Sequence, residues 1–264
     1  MSLHITSLNT GSNGNCFYIG NNEDAVLIDA GLSCRETENR LARLGLTMQK
    51  VKAIFISHEH SDHIKGLPVL AKKYQLPIYI TPKTHLGGKQ LLPAHLIYTF
   101  PSNTGITIGG LEIIAFPKLH DAAEPHSFTI AYKGIKIGVF TDIGDHCANL
   151  IHHFKQCHAV FLEANYDDEM LDKGNYPYFL KQRIRGGNGH LSNQKALELF
   201  VNHRPDFMSH LFLSHLSKAN NCPELVRRLF NEVANNVEII VASRWQETPV
   251  YQIGLNEAKL VLAK

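Results

Sequence analysis

Five short apolar runs in this chain each end on a residue that can bind a cation or carry a proton. Ala25-Val26-Leu27-Ile28 runs into Asp29, and Ala53-Ile54-Phe55-Ile56-Ser57 runs into His58. Gly138-Val139-Phe140-Thr141 runs into Asp142, Ala159-Val160-Phe161-Leu162 into Glu163, and Leu211-Phe212-Leu213-Ser214 into His215. Apolar runs this short and continuous read as strands buried on both faces, and such strands need helices to cover them. In open α/β sheets the ligand site lies beyond the carboxyl ends of the strands. One strand ending on aspartate is an ordinary turn. Five strands ending on Asp, His and Glu point to a shared site.

Further strands are expected at 3–8, 16–20, 111–116 and 128–132, and at 237–242. The five runs above become strands at 25–29, 51–57, 135–141, 159–163 and 209–214. Helices are expected at 33–44, 62–74, 192–201 with Ser192 as N-cap, and 223–234 after Pro223. The result is an α/β layered fold. No linker, charge block or repeat interrupts the 264 residues, so 1–264 reads as one domain. The net charge of +2 favours no partner by sign. Five cysteines with no CxxC pair read as reduced thiols in a cytoplasmic protein. The N-terminus has no export signature, and no apolar run is long enough for a membrane helix. Histidine, at sixteen, is abundant.

Ser57-His58-Glu59-His60-Ser61-Asp62-His63 packs three histidines and two acids into six positions. Alternate side chains in an extended segment share a face, so His58 and His60 can aim at one point. Asp62 and His63 then open a helix and aim at an adjacent point. Two neighbouring cations are the natural occupants, and imidazole with carboxylate suits zinc, manganese or iron. Zinc is the first expectation from ligand type.

His58-x-His60-x-Asp62-His63 resembles the HxHxDH signature of the metallo-β-lactamase fold superfamily. Later segments fit the same family in order. His120, in Phe116-Pro117-Lys118-Leu119-His120-Asp121, resembles its third-motif histidine. Asp142, in Thr141-Asp142-Ile143-Gly144, resembles its bridging aspartate, and His215 its final histidine ligand. The resemblance implies a four-layer αββα sandwich of two mixed β-sheets flanked by helices. It implies two divalent metal ions: His58, His60 and His120 on the first, Asp62, His63 and His215 on the second, Asp142 bridging. Two such ions repel unless anions lie between them, and a pair roughly 3.5–4 Å apart lowers the pKa of a shared water. Asp62 thereby enters the catalytic set as well as the ligand set. Asp29 is expected to orient a ligand imidazole, or else simply to end its strand in a turn.

Aspartate at 142 separates the chain from true β-lactamases of the fold, which place a cysteine ligand there. Histidine at 60 separates it from the diiron oxidoreductases. Only 73 positions separate 142 from 215, too few for the large cap of the RNA-cleaving branch. Only 22 separate 120 from 142, leaving no room for the tRNA-gripping arm of ribonuclease Z. Five segments resemble the YycJ/WalJ-like group in order: Thr10–Cys16, His120–Pro125, Glu163–Asp167, Gly189–Asn193 and His215–Asn221. One departure is Ser127, near which that group suggests a glycine. The group implies metal-dependent 5′→3′ DNA exonuclease activity, with nucleic acid, chiefly DNA, as the partner.

By the same resemblance His190 is expected to protonate the leaving group, with Glu163 orienting it; the alternative is a further, structural or transient ligand. General-acid catalysis of this kind is worth about 10²–10⁴-fold. The Gly11–Asn15 loop admits two readings. Its backbone could cradle a phosphate, making Ser12, Asn13 and Asn15 substrate-binding residues, or it is a tight β-turn. Lys181, Arg183 and Arg185 alternate, which places them on one strand face, solvated or steering a nucleic-acid backbone. Trp245 could stack a base or cover the edge of the core, and the second is preferred. His152, His153, His203 and His210 lack ligand spacing. Two rivals remain: a hydrolase of small esters, thioesters or cyclic phosphodiesters, and a non-catalytic metal-binding regulatory protein. Oligomeric state is not readable.

Overall fold

The computed structural model describes residues 2–255. Strands β1 (Ser2–Asn9), β2 (Cys16–Gly20), β3 (Ala25–Ile28), β4 (Val51–Phe55), β5 (Ile78–Tyr79) and β6 (Ile97–Tyr98) build one sheet. Strands β7 (Gly105–Ile108), β8 (Leu111–Pro117), β9 (His126–Tyr132), β10 (Ile135–Phe140), β11 (Ala159–Glu163), β12 (His210–Ser214) and β13 (Glu238–Val241) build the other. A last strand, β14 (Tyr251–Gly254), returns to pair antiparallel with β1. The orders are therefore β14-β1-β2-β3-β4-β5-β6 and β13-β12-β11-β10-β9-β8-β7.

Each sheet is antiparallel at one end and parallel at the other. β3, β4, β5 and β6 run parallel, as do β10, β11, β12 and β13. The two sheets pack face to face through aromatic side chains. Phe17 meets Phe161 at 5.0 Å between ring centroids, and Phe55 meets Phe128 at 5.7 Å. The outer faces are covered by helices. α1 (Cys34–Arg43) and α3 (Leu67–Tyr74) share the core of the first sheet through Leu41, Leu67 and Leu70. α5 (Ala148–Phe154), α8 (Asn193–His203) and α9 (Pro223–Asn231) share that of the second through Phe154, Phe200 and Phe230. Three apolar layers thus separate four layers of structure, the αββα arrangement expected. Burial of such side chains contributes roughly 1.5–3 kcal/mol each.

All ten expected strands and all four expected helical regions are present. The single helix expected over 62–74 is instead α2 (Ser61–Ile64) followed by α3. Gly66 lies between them, where a Cβ would sit 1.7 Å from the Leu32 carbonyl oxygen, so the chain must turn against β3's loop at that point. Strands β5 and β6, two residues each, are too short to show a periodicity. Strands β7 and β14, helix α5, and helices α4 (Pro82–Gly88), α6 (Asp168–Lys173) and α7 (Tyr178–Arg185) were not legible either. For α7 the structure corrects the sequence reading: Lys181, Arg183 and Arg185 lie on a helix, not on one face of a strand. Residues two apart on a helix point in different directions. α7 buries no side chain, so hydrophobic periodicity had nothing to report there.

The loop after β3 passes the loop after β4 at backbone contact. Asn15 N donates to Asp62 O at 2.7 Å, and Gly31 N to Asn15 O at 2.9 Å. A Cβ on Gly31 would lie 1.7 Å from Asp62 O and 2.6 Å from Asn15 N. Gly31→Ala is therefore expected to push the Asp62 segment outward. Overpacking costs about 1–3 kcal/mol, which for a chain of this size lowers Tm by roughly 2–12 °C. Thermal unfolding followed by circular dichroism reads this directly; an unchanged Tm would show that the two loops can part without cost.

Candidate metal centre

The five strand-end residues converge at the carboxyl edges of the two sheets. Three of them adopt left-handed backbone conformations: Asp29 (φ 62°), Asp142 (φ 54°) and His215 (φ 58°). This region is unfavourable for residues with a Cβ by roughly 1–2 kcal/mol. Most other non-glycine residues with positive φ in this chain sit in turns or at helix ends, as Gln75 and Lys89 do. Strain collected at one cluster of polar, buried side chains marks a site.

The ligand atoms fall into overlapping groups, each spanning no more than 4.8 Å: His58, His60 and His120; His58, His63 and Asp142; Asp62, His63 and His215; and Asp142, Glu163, His190 and His215. The seven residues expected to hold metal are thus brought together, with His58, His60 and His120 in one group and Asp62, His63 and His215 in another. His58 Nε2 lies 3.0 Å from His60 Nδ1, which lies 3.4 Å from His120 Nε2. Nitrogens bound at about 2.0–2.1 Å in tetrahedral geometry stand about 3.3 Å apart. Asp142 Oδ2 is 3.1 Å from His63 Nε2, and its Oδ1 is 3.8 Å from His120 Nε2, so this carboxylate stands between the groups. Asp142 Oδ2 and His215 Nε2 are buried with no hydrogen-bond partner. Orphaned buried polar atoms facing a cluster of imidazoles fit a cation.

Four of the five candidate ligand histidines, all but His60, are aimed by what their other nitrogen touches. His63 Nδ1 donates to Asp29 Oδ2 at 2.7 Å. His58 Nδ1 contacts Ser57 Oγ at 2.9 Å, and Ser57 Oγ donates to the same carboxylate oxygen at 2.8 Å. Asp29 thus orients two imidazoles, one of them through a serine that the sequence did not single out. His120 Nδ1 donates to the Gly189 carbonyl at 3.0 Å, and His215 Nδ1 to Glu163 Oε1 at 2.9 Å. Such contacts fix the tautomer and leave the opposite nitrogen for the metal.

Glu163 has a second task. His190 Nδ1 lies 2.8 Å from Glu163 Oε1, the pairing expected for a proton donor and its orienting acid. Glu163 Oε2 accepts from the backbone of Ile143 at 2.6 Å and Leu191 at 3.2 Å. Burial works against its charge, but His190 and His215, by their charge and their hydrogen bonds to it, outweigh burial and pull its carboxyl down to about 2. Burial likewise opposes charge on His215, yet Asp142, Asp62 and Glu163 raise it to about 10. Burial, His63 and Lys118 hold His58 well below the usual imidazole range. The carboxylates here attract positive charge, which protons or a metal can supply.

The Gly11–Asn15 loop corrects one expectation. Asn15 is fully buried, and its Nδ2 contacts Asp62 Oδ2 at 3.1 Å and His63 Nε2 at 3.0 Å. It serves the metal residues from inside the protein rather than touching substrate. Asn13 Nδ2 donates to the Arg244 carbonyl at 2.7 Å. Ser12 is exposed in the wall of the cleft beside His190 and His215. Three further residues lie in segments that carry the resemblance, but the sequence assigned them no role. Thr10 Oγ1 accepts from His215 N at 2.9 Å, and Asn165 Nδ2 donates to His215 O at 2.7 Å. Lys118 is buried and donates to Thr141 O at 2.7 Å, just behind Asp142.

The basic run of α7 is spent on neighbours. Arg183 Nε pairs with Asp121 Oδ2 at 2.6 Å, Arg185 with Asp172 at 2.5 Å, and Lys181 Nζ donates to the Asp172 carbonyl. Trp245 does not cover the core edge: it is 64% exposed. His153 stacks on Phe116 at 4.1 Å and is a packing residue.

A family model described as a beta-lactamase superfamily domain matches residues 24–215. The chain is 38% identical over 238 residues to "Exodeoxyribonuclease YycJ" of Bacillus anthracis, covering 88% of this chain and 89% of that protein. It is 34% identical over 239 residues to "Exodeoxyribonuclease WalJ" of Streptococcus pneumoniae, covering 86% and 87%. Among solved structures, the metallo-β-lactamase fold protein YhfI of Bacillus subtilis superposes with a TM-score of 0.74 at 17% identity. That match covers 96% of this chain and all of the other, and at that identity it speaks for the fold alone.

Proposed function

The chain belongs to the metallo-β-lactamase superfamily, and from that premise we propose that it is a metal-dependent nuclease that removes nucleotides from a DNA end. The observation that carries the reading is the pair His190–Glu163, with His190 in the wall of the same cleft as His215 and Glu163 buried behind it. A phosphodiester leaves as an alkoxide and needs a proton. A thioester hydrolase, whose thiolate leaves without a proton, has less use for a carboxylate-held histidine beside the proposed metal residues. The curated relatives, exodeoxyribonucleases by name, support DNA over RNA.

His58, His60 and His120 would hold one divalent ion, and Asp62, His63 and His215 the other, with Asp142 shared. Zinc suits these ligands first, with manganese or iron as alternatives. When bound, such a pair lowers the pKa of a shared water and neutralises charge on a phosphoryl oxygen. The chain's own residues do the rest. Asp29, Ser57 and the Gly189 carbonyl keep the imidazoles in register before substrate arrives. His190, hydrogen-bonded through Nδ1, offers Nε2 to the departing oxygen. Glu163 stabilises the imidazolium that delivers the proton.

Among the described residues no helix is long and apolar enough to cross a membrane. The test is a degradation assay with duplexes labelled at the 5′ or the 3′ end, repeated with zinc, manganese and iron. Mononucleotides released from one labelled end, with no turnover of a thioester or lactone, are expected. Turnover confined to a lactone or thioester would place the chain among small-ester hydrolases. A metal-replete protein inert on every substrate would make it a binding protein.

A further inference from the structure

We propose that Trp245, with Lys218, Arg227 and Arg244, forms a nucleotide-binding subsite beside the metal centre, a deepening that rests on the nuclease reading above. The cleft at the centre is lined by His190, His215 and Ser217. A second cleft of about 350 Å³ lies on the other side of Leu216 and Ser217, which line both. Lys218, Arg227, Arg244 and Trp245 line that second cleft.

Trp245 is the only tryptophan in the chain, and nearly two-thirds of it faces solvent. Lys218 Nζ lies 5.6 Å and Arg244 Cζ 5.5 Å from its ring centroid. Cations against an indole that is otherwise open suit a base on the ring and phosphates beside it. Their charges are also unspent. Arg183, Arg185 and Lys195, around the centre, are all ion-paired. Among the described residues, no carboxylate lies within 4.0 Å of Lys218, Arg227 or Arg244. Arg244 Nε is buried with no hydrogen-bond partner.

The subsite is tied to the metal loop. Asn13 Nδ2 holds the Arg244 carbonyl, Arg244 Nη2 donates to Ser12 Oγ at 3.1 Å, and Arg40 Nη2 donates to the Trp245 carbonyl at 3.0 Å. Asn15, in the same loop as Ser12 and Asn13, contacts Asp62 and His63. A strand seated on Trp245 is therefore held in fixed register with the metal residues. The Gly11–Asn15 loop acts in this as a positioning element, with Ser12 its exposed contact. One nucleotide strand is the occupant, of DNA or of RNA, since every base has a face to stack.

The single indole makes the test direct. Protein fluorescence is titrated with phosphorothioate oligo(dT) and, separately, oligo(rU), while the anisotropy of the labelled strand reports binding. Quenching that saturates with binding is expected, and the more effective strand identifies the preferred sugar. Trp245→Ala should weaken binding by roughly 5- to 150-fold, the range set by base–aromatic stacking. Trp245→Phe should recover part of that loss. The same variant should lower kcat/KM for a dodecamer well below its kcat/KM for bis(p-nitrophenyl) phosphate, relative to the parent protein. Binding without quenching, or equal affinity in Trp245→Ala, would overturn the subsite while strand degradation by the parent keeps the nuclease reading. A parent protein that neither binds nor degrades strands overturns both.

Discussion

Asp142→Asn is expected to remove metal and turnover together while leaving the fold in place. Asp142 is buried, 3.1 Å from His63 Nε2 and 3.6 Å from His215 Nδ1. It is the carboxylate between two groups of imidazoles, and imidazoles alone bring no negative charge. Burial works against its ionisation, but His215 and His63 hold its carboxyl well below the usual range, so it is a full anion at neutral pH. Asparagine tolerates the left-handed backbone required here and keeps the side-chain shape. The charge alone is then lost. Several kcal/mol of transition-state stabilisation go with a metal site, so turnover should fall by at least about 10³-fold. Elemental analysis after dialysis should find less metal per chain, with the melting curve of the metal-stripped parent reproduced. Asp142→Asn that keeps its full metal content and rate would mean that the carboxylate is not shared between ions.

His190→Ala is expected to separate binding from chemistry. His190 is partly exposed, and its contact with Glu163 does not pass through any other proposed ligand. Metal content should stay at the parent level. Turnover on a DNA end should drop by about 10²–10⁴-fold, the span of general-acid catalysis. The leaving group supplies the diagnostic. p-Nitrophenolate departs without help, so bis(p-nitrophenyl) phosphate should lose far less rate than DNA. Equal losses on both substrates would assign His190 to metal holding or substrate positioning. Glu163→Gln should be worse than His190→Ala in one respect. Glu163 also anchors His215 at 2.9 Å, so metal affinity should fall with it.

The candidate site, His120 apart, was legible because its chemistry is written locally. His58, His60, Asp62 and His63 lie within six positions, and Asp29, Asp142, Glu163 and His215 each follow an apolar run that can only be a buried strand. The helix α7 was misread for the complementary reason. Alternating Lys181, Arg183 and Arg185 mimic a strand, while a surface helix with no buried side chain has no periodic signal to set against them. Asn15 admitted a phosphate reading because a Gly-rich turn can point its backbone N–H groups towards an anion. Here Gly31 lets two loops touch, and the asparagine is sealed between them.

The sequence by itself determined the α/β layering and which side chains can bind a metal. Both follow from short-range physics: strand periodicity, burial of apolar runs, and the donor atoms each residue carries. Only the tertiary structure decided how those donors are aimed. Ser57 relaying Asp29 to His58, Glu163 shared between His190 and His215, and Trp245 standing open beside the cleft all join segments far apart in the chain. Their contacts exist because two sheets pack face to face and bring their carboxyl edges together, and no local pattern encodes the partner across that gap.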